Sequence, residues 1–418
     1  MSPRRLDLYI LCEYGAPIGR ILRSWPTLPL VVRIDASWKS EHLPRNVVVA
    51  LRRPDRLFKI DFDVTSSMTG SIIEAIQNLT PCQALESIRI TIKDATGPSI
   101  LARTAFLGGS APRLREIMLD GISLPFPEIR QVLLSTNNLV ELHLLKISNK
   151  VYFSPDDLVS GLSTLFQLER LTIGFHSPAS RPPPSMTRPP PQRTILPSLR
   201  FLDFHGATEY LEEFVARIDL RAFCQIDVTL FNEIFFEIPR FCQFIPRSNE
   251  LGFPISRVYV TLSPESGGIV FFPGSSSPAI FDLKTSCRRL DWQLSFVTQI
   301  ASQLSPLLSS VHELTVETGS SPGMPTGETD VDSTQWLELL QPFTHVTRLK
   351  VLKTGVALAI IQALEVAGGV LPQLTSLHLS KNRGLPTGSV VKAAEQFVAT
   401  RKLSGRPFDL LYQITYSS

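Results

Sequence analysis

The chain has 418 residues, of which 43% are hydrophobic and 19% are charged, and its 41 basic residues nearly balance 38 acidic ones. This composition supplies enough apolar material for a large core and excludes wholesale disorder. The weak net charge argues against a nucleic acid or a membrane surface as partner, and the longest uncharged stretch is too polar to span a bilayer.

Two features of the sequence indicate a cytoplasmic or nuclear protein. Residues 1–27, which we expect to form a short helical segment, are interrupted by Asp7, Glu13 and Arg20, so they do not resemble a signal peptide. The five cysteines are sparse and none forms a CxxC pair, so neither a zinc ribbon nor a disulfide framework is indicated. Reduced thiols are typical of the cytosol and nucleus.

An apolar triple with the spacing L-x-x-L-x-L recurs from the first quarter of the chain to its end. At this hydrophobic content, single matches to the L-x-x-L-x-L pattern arise by chance. The regular spacing of the matches is therefore the evidence for a repeat. Successive copies begin about 24 to 35 residues apart, and we interpret one gap of 56 residues as two repeats with a degenerate copy near Phe281. The mean spacing of about 29 residues lies at the upper end of the leucine-rich-repeat range. The first residues of the copies are Leu57, Leu85, Leu114, Leu139, Leu168, Leu199, Phe223, Ile255, Val311, Val346 and Leu374.

Helical patterns lie between the triples. Ser154 offers a capping hydroxyl, followed by proline and two acidic residues, which is a typical helix start. Trp292 and Trp336 begin predicted helices, and we expect both to pack inward. The predicted helices cover residues 66–79, 126–134, 154–165, 208–218, 232–245, 292–308, 333–340, 356–366 and 389–400.

One short strand and one helix per repeat can form either a doubly wound sheet or a solenoid. About eleven evenly spaced units exceed a comfortable open sheet. We therefore predict an α/β fold, an irregular leucine-rich-repeat solenoid (horseshoe) over residues 28–416, with parallel strands on the concave face and helices and loops on the convex face. The strands are expected to stack in chain order.

Two segments interrupt the predicted array. Residues 178–197 contain eight prolines, which favours an extended proline-rich loop in place of a helix. Residues 263–283 place Ile269-Val270-Phe271-Phe272 between Gly- and Ser-rich turns, which predicts an inserted hairpin strand.

Three segments resemble the irregular leucine-rich repeats of F-box proteins: PRLREIMLDGI at 112–122, LPSLRFLDFHG at 196–206 and LPQLTSLHLSKN at 371–382. The layout is similar to the large F-box-like families of mushroom-forming fungi. In those families an F-box docks onto the Skp-family adaptor of a cullin ubiquitin ligase, and the repeats hold the protein to be ubiquitinated. The resemblance implies a substrate-recognition role and protein partners. No F-box segment precedes the first predicted strand in this chain, so a Skp-family adaptor is implied only where an F-box lies upstream.

The sequence carries no familiar catalytic signature. GxxxxGK[ST], GxSxG and HExxH are all absent from it. His143 and His378 each follow the middle apolar residue of their triple, but they belong to distant copies and cannot share a metal. We therefore predict a non-catalytic protein without cofactor or metal.

The residues that flank the apolar positions of each triple should form the open face of the sheet, because side chains alternate along a strand. This face mixes both charge signs with occasional aromatics, which suits a protein surface. Aromatic residues and arginine dominate interface energetics, so the candidate binding residues are Arg170, Phe201, Asp203, Arg257 and Tyr259. The alternatives are a solvated face without a partner, a stand-alone scaffold without a ligase link, and an unrecognised α/β enzyme.

Overall fold

The computed structural model places the chain in two compact units, residues 1–224 (unit 1) and 225–418 (unit 2). Both units are α/β, with a mostly parallel sheet and accompanying helices. The structure describes residues 6–7, 18–24, 28–35, 37, 43–65, 70, 72, 74–76, 79–93, 99–100, 106–178, 192–221, 223–231, 236–248, 254–274, 278–319, 333–352, 356–366, 369–382, 388–405 and 408–415. Residues 179–191 of the predicted proline-rich loop therefore lie outside the described residues.

Within the described residues, unit 1 contains twelve strands, five α-helices with continuous bounds, and further helical residues at 70, 72 and 74–76. The strands are β1 (Leu6–Asp7), β2 (Leu30–Ile34), β3 (Leu57–Thr65), β4 (Ser87–Lys93), β5 (Ser99–Ile100), β6 (Glu116–Asp120), β7 (Ile122–Ser123), β8 (Glu141–Ile147), β9 (Arg170–Phe175), β10 (Thr194–Leu196), β11 (Phe201–Gly206) and β12 (Ile218–Leu220). The helices are α1 (Ile18–Ser24), α2 (Leu43–Leu51), α3 (Phe126–Ser135), α4 (Pro155–Leu162) and α5 (Thr208–Val215).

The main sheet of unit 1 follows chain order. Its strands pair in the order β1, β2, β3, β4, β6, β8, β9 and β11, all of them parallel. The middle apolar residues of the triples are register partners on successive strands, and each is at most 1% exposed. This buried row consists of Ile60, Ile88, Ile117, Leu142, Leu171 and Leu202. The repeat thus fixes the register, because a slip of one residue would bring polar side chains into the core.

Within the described residues, unit 2 contains eight strands and six α-helices. The strands are β13 (Gln225–Leu230), β14 (Arg257–Leu262), β15 (Gly267–Phe272), β16 (Phe281–Thr285), β17 (Glu313–Thr318), β18 (Arg348–Leu352), β19 (Ser376–Asn382) and β20 (Asp409–Thr415). The helices are α6 (Pro239–Ser248), α7 (Leu290–Gln303), α8 (Ser305–Leu308), α9 (Ser333–Leu340), α10 (Ala357–Val366) and α11 (Gly388–Leu403).

The sheet of unit 2 departs from chain order at one place. Its strands pair as β13, β16, β15, β14, β17, β18, β19 and β20, so the expectation of strictly sequential stacking is wrong here. The cause is a meander: β15 runs antiparallel to both β14 and β16. The chain therefore folds back toward β13, and β14 is left to pair in parallel with β17. The predicted degenerate copy near Phe281 corresponds to β16, which pairs in parallel with β13.

Most described helices lie where the sequence predicts them. Helix α4 begins at the expected Ser154 cap, and the structure adds a reciprocal capping box: the Asp157 amide donates to Ser154 Oγ and the Ser154 amide donates to the Asp157 carboxylate. Trp336 on α9 is fully buried, as expected. The prediction for Trp292 is wrong: this side chain is 43% exposed, and the Arg289 guanidinium lies over its ring. Among the described residues, no helix combines the length and hydropathy needed to cross a bilayer.

Candidate functional site

Each unit presents a polar face, formed by the residues that alternate with the buried positions of its strands. In unit 1 these residues are mostly half-exposed, whereas the apolar residues between them are buried. One row of register partners on this face consists of Lys59, Ser87, Glu116, Glu141, Arg170 and Phe201. Neighbouring members lie about 4.8 Å apart, which is the strand spacing of a sheet. The repeats therefore arrange their variable residues in regular rows.

Three of the sequence-predicted candidates lie on the polar face of unit 1. The Arg170 guanidinium lies over the Phe201 ring at 4.3 Å from its centroid, which is a cation–π contact. Asp203 is exposed and lies two residues after Phe201 on β11, beside its register partner Thr172. The structure thus brings an arginine and an aromatic ring together, as the interface hypothesis requires.

The other charges on the face of unit 1 are paired between neighbouring strands. Arg89 on β4 binds Glu116 on β6. Lys93 Nζ lies 2.5 Å from an Asp63 carboxylate oxygen on β3. Lys146 Nζ on β8 lies 2.9 Å from Asp120 on β6. Such pairs, with both partners partly solvated, contribute little stability each.

The remaining two candidates, Arg257 and Tyr259, lie on β14 in unit 2. Two nitrogens of Arg257 donate to the Gly274 carbonyl at 3.1 and 2.7 Å, and its guanidinium lies 4.9 Å from the Phe272 ring centroid. The Tyr259 hydroxyl donates to the Glu317 carboxylate. Burial and the neighbouring Glu317 raise the pKa of Tyr259. Both side chains are therefore held in position by partners on adjacent segments.

The most distinctive group on this face is one that the sequence interpretation did not select. Glu313 on β17 is only 5% exposed, although it lies on the polar face. One of its carboxylate oxygens accepts a hydrogen bond from Lys350 Nζ at 2.8 Å, and the other lies 3.3 Å from Arg348 Nη2. Burial disfavours the charge of Glu313, but the bond from Lys350 and the charges of Lys350, Arg348 and Arg257 outweigh it and hold its pKa below the ordinary value.

The polar face around Glu313 is defined by strand register. Arg257, Glu313, Arg348 and Ser376 are successive partners on β14, β17, β18 and β19. Tyr259, Thr315, Lys350 and His378 form the next row. We refer to Arg257, Arg348 and Lys350, grouped around Glu313, as the basic patch. The sequence contains the signal for it, because E-x-T, R-x-K and S-x-H occupy the same positions in three successive triples, but the pairing of β14 with β17 was not foreseen.

Two histidines occupy equivalent repeat positions in the two units. His143 Nδ1 lies 2.9 Å from Thr172 Oγ1, and its Nε2 lies 3.4 Å from Glu141. Burial lowers the pKa of His143, and the charge of Arg170 acts in the same direction, whereas Glu141 and Glu116 oppose them. Burial also lowers the pKa of His378, where Lys350 and Arg348 act in the same direction and only Glu313 opposes them. The charged surroundings of the two imidazoles therefore have opposite sign.

No cluster of three or more potential metal ligands occurs within the part of the chain that the structure describes. The four described cysteines form no disulfide with one another, and burial raises the pKa of Cys82 and of Cys224 to about 12. A thiol with such a pKa is protonated at neutral pH and is a poor nucleophile.

Comparison of the sequence with protein-family models and with curated proteins found no match. The function must therefore be inferred from the polar faces themselves. Their partly exposed charges and aromatic rings are suited to non-covalent contact with another macromolecule.

Proposed function

We propose that this chain is an irregular leucine-rich-repeat solenoid and a non-catalytic protein-binding module that uses the polar faces of its strands. The strands would line the concave side of the solenoid, and the helices and loops would cover the convex side. By its resemblance to F-box-like repeat proteins, it would serve as the substrate-recognition part of a cullin ubiquitin ligase in the cytoplasm or nucleus. Cys82, Cys224 and Cys287 are buried and form no disulfide with one another, which supports such a reducing compartment.

The observation that carries this proposal is the in-register ladder of unit 1. Seven strands from β2 to β11 pair in parallel, and their middle apolar residues from β3 onward form one buried row. The intervening positions differ from strand to strand in charge and size, so the constant residues build the scaffold and the variable ones are free to contact a partner. The stacked Arg170 and Phe201 provide an anchor of the composition typical of protein interfaces.

Site-specific photocrosslinking tests the proposal. A photoreactive residue is placed at Asp203 or Arg348, which are exposed on the polar faces, and at Leu134 on α3 or Val366 on α10, which are exposed on helices. We expect the face positions to give a discrete protein adduct in cells, which excess unlabelled chain suppresses, and the helix positions to give none. Adducts only at the helix positions, or none at the face, would overturn the proposal.

The ligase link requires a separate measurement. The gene product is expressed with a tagged Skp-family adaptor, and co-elution is measured by size-exclusion chromatography. A stable complex would support the ligase role. Separate elution, with the face adducts still present, would instead support a stand-alone repeat scaffold.

A further inference from the structure

The basic patch of unit 2 contains more cationic groups than its contacting carboxylate can neutralise. Arg257, Arg348 and Lys350 all act electrostatically on Glu313, which is the one carboxylate that contacts Arg348 and Lys350 within the described residues. The next carboxylate along β17, Glu317, accepts the hydroxyl of Tyr259. The neighbouring His378 lies in the electrostatic field of two cations, Lys350 and Arg348, and one carboxylate, Glu313. Glu317 keeps its negative charge, so three cations face two carboxylates and leave one excess positive charge in this region, although the chain as a whole is nearly neutral.

Hydrogen-bond donors also remain available in this patch. The Arg348 side chain is 46% exposed, and one of its nitrogens approaches Glu313. Arginine has five N–H donors, and no acceptor in the described part of the chain is paired with the others of Arg348. A ligand that brings acceptors to the exposed nitrogens of Arg348 would therefore be stabilised here.

The size and surroundings of the patch limit what can bind. From β14 to β18 it spans three neighbouring strands, or about 10 Å at a spacing of about 4.8 Å. Asp282 on β16 and Asp409 on β20 lie on the same face beyond its two sides. A long polyanion such as a nucleic acid would meet these carboxylates, whereas a short segment with two or three carboxylates would fit between them.

We propose that the basic patch docks a short acidic segment of a partner protein, whose carboxylates pair with Arg348 and Lys350. The buried carboxylate of Glu313 binds both Arg348 and Lys350. The remaining N–H donors of these two side chains then face the partner. This inference rests on the proposed protein-binding function and specifies the chemistry of the partner.

Fluorescence anisotropy with defined probes tests the inference. The probes are a labelled peptide of about ten residues with four glutamates, the same peptide with glutamines, a single-stranded oligouridine of similar charge, and vesicles containing phosphatidylserine. At about 150 mM salt we expect the glutamate peptide to bind the full chain about tenfold more tightly than the glutamine peptide. We expect R348Q/K350Q to remove this difference. The triple variant E313Q/R348Q/K350Q should do the same without leaving a stranded carboxylate.

A matched control is available in the same unit. K392Q/K402Q removes two exposed cations of α11 and changes the net charge equally, so binding should remain within about twofold of the unaltered chain. Equal loss in this control, or equal binding of oligouridine or vesicles, would show a general charge effect and overturn the inference. Equal binding of the two peptides would also overturn it. If the crosslinks at the polar face persist in that case, the protein-binding function stands and only the acidic class is refuted; if they are absent too, both fail.

Discussion

The polar faces of the two units use the same kind of repeat but distribute their charges differently. In unit 1, Arg89, Lys93 and Lys146 each have a carboxylate on a neighbouring strand, so the charges cancel locally. In unit 2, the single buried Glu313 serves both Arg348 and Lys350. The difference arises from the polar residues of the strands and from the strand order, because the meander of unit 2 places Arg257 beside Glu313. A repeat scaffold can therefore form a neutral surface in one unit and a cationic patch in the other.

Removing the central carboxylate of each face should give the largest difference. Glu313→Gln leaves Arg348 and Lys350 without their partner, and we expect a loss of about 1–3 kcal/mol in the free energy of unfolding. Glu116→Gln disrupts the pair with Arg89, whose side chain is 44% exposed, and should cost less than about 1 kcal/mol. Urea unfolding monitored by circular dichroism measures both values. Equal losses of unfolding free energy in the two variants would contradict the view that Glu313 contributes more to stability than Glu116.

Acidification should remove the advantage of Glu313 over its glutamine variant. The native state lowers the pKa of this carboxyl below its ordinary value of 4.5, so its contribution to stability is complete above that value and is lost as the pH falls through the lower native pKa. The difference in unfolding free energy between the unaltered chain and E313Q should be constant between about pH 7 and pH 5 and shrink below. In an R348Q/K350Q background the burial of Glu313 is no longer offset, so E313Q should be the more stable form at about pH 7, and this reversed difference should shrink on acidification as Glu313 is protonated. A difference that persists at about pH 2 would contradict this origin.

The regular part of the fold could be predicted from the sequence, because it depends on local patterns. The apolar triples located the main strands, and the Ser154 cap located the start of α4. Helix α9 has the predicted bounds, Ser333–Leu340. These features depend on residues close together in the chain, where spacing and capping chemistry suffice.

What the sequence could not supply was non-local pairing. The β14–β15–β16 meander reverses the strand order, and this places Arg257 beside Glu313 rather than beside a residue of β13. In β8, Lys146 adopts a positive φ of 54° where the register with β9 shifts, which no local motif indicates. Trp292 looked like a core residue, but the first turn of α7 exposes it and Arg289 covers its ring. The candidate residues were thus placed on the correct kind of surface, while their partners depended on which strands pair.

Salt should change the pKa values of the two equivalent histidines, His143 and His378, in opposite directions. This is the smallest expected effect, but it measures the charge difference between the two polar faces most directly. Around His143 the charges of Glu141 and Glu116 favour the imidazolium and outweigh that of Arg170, which disfavours it, so screening should lower the pKa of His143. Around His378 the charges of Lys350 and Arg348 disfavour it, so screening should raise the pKa of His378. The desolvation that lowers both pKa values is insensitive to salt, so the direction of change reports only the neighbouring charges. We expect shifts of a few tenths of a pH unit between about 50 and 500 mM salt, measured by NMR titration of the two imidazoles. Shifts of the same sign at both residues would show that the two faces do not differ in local potential, and the cationic character assigned to unit 2 would be wrong.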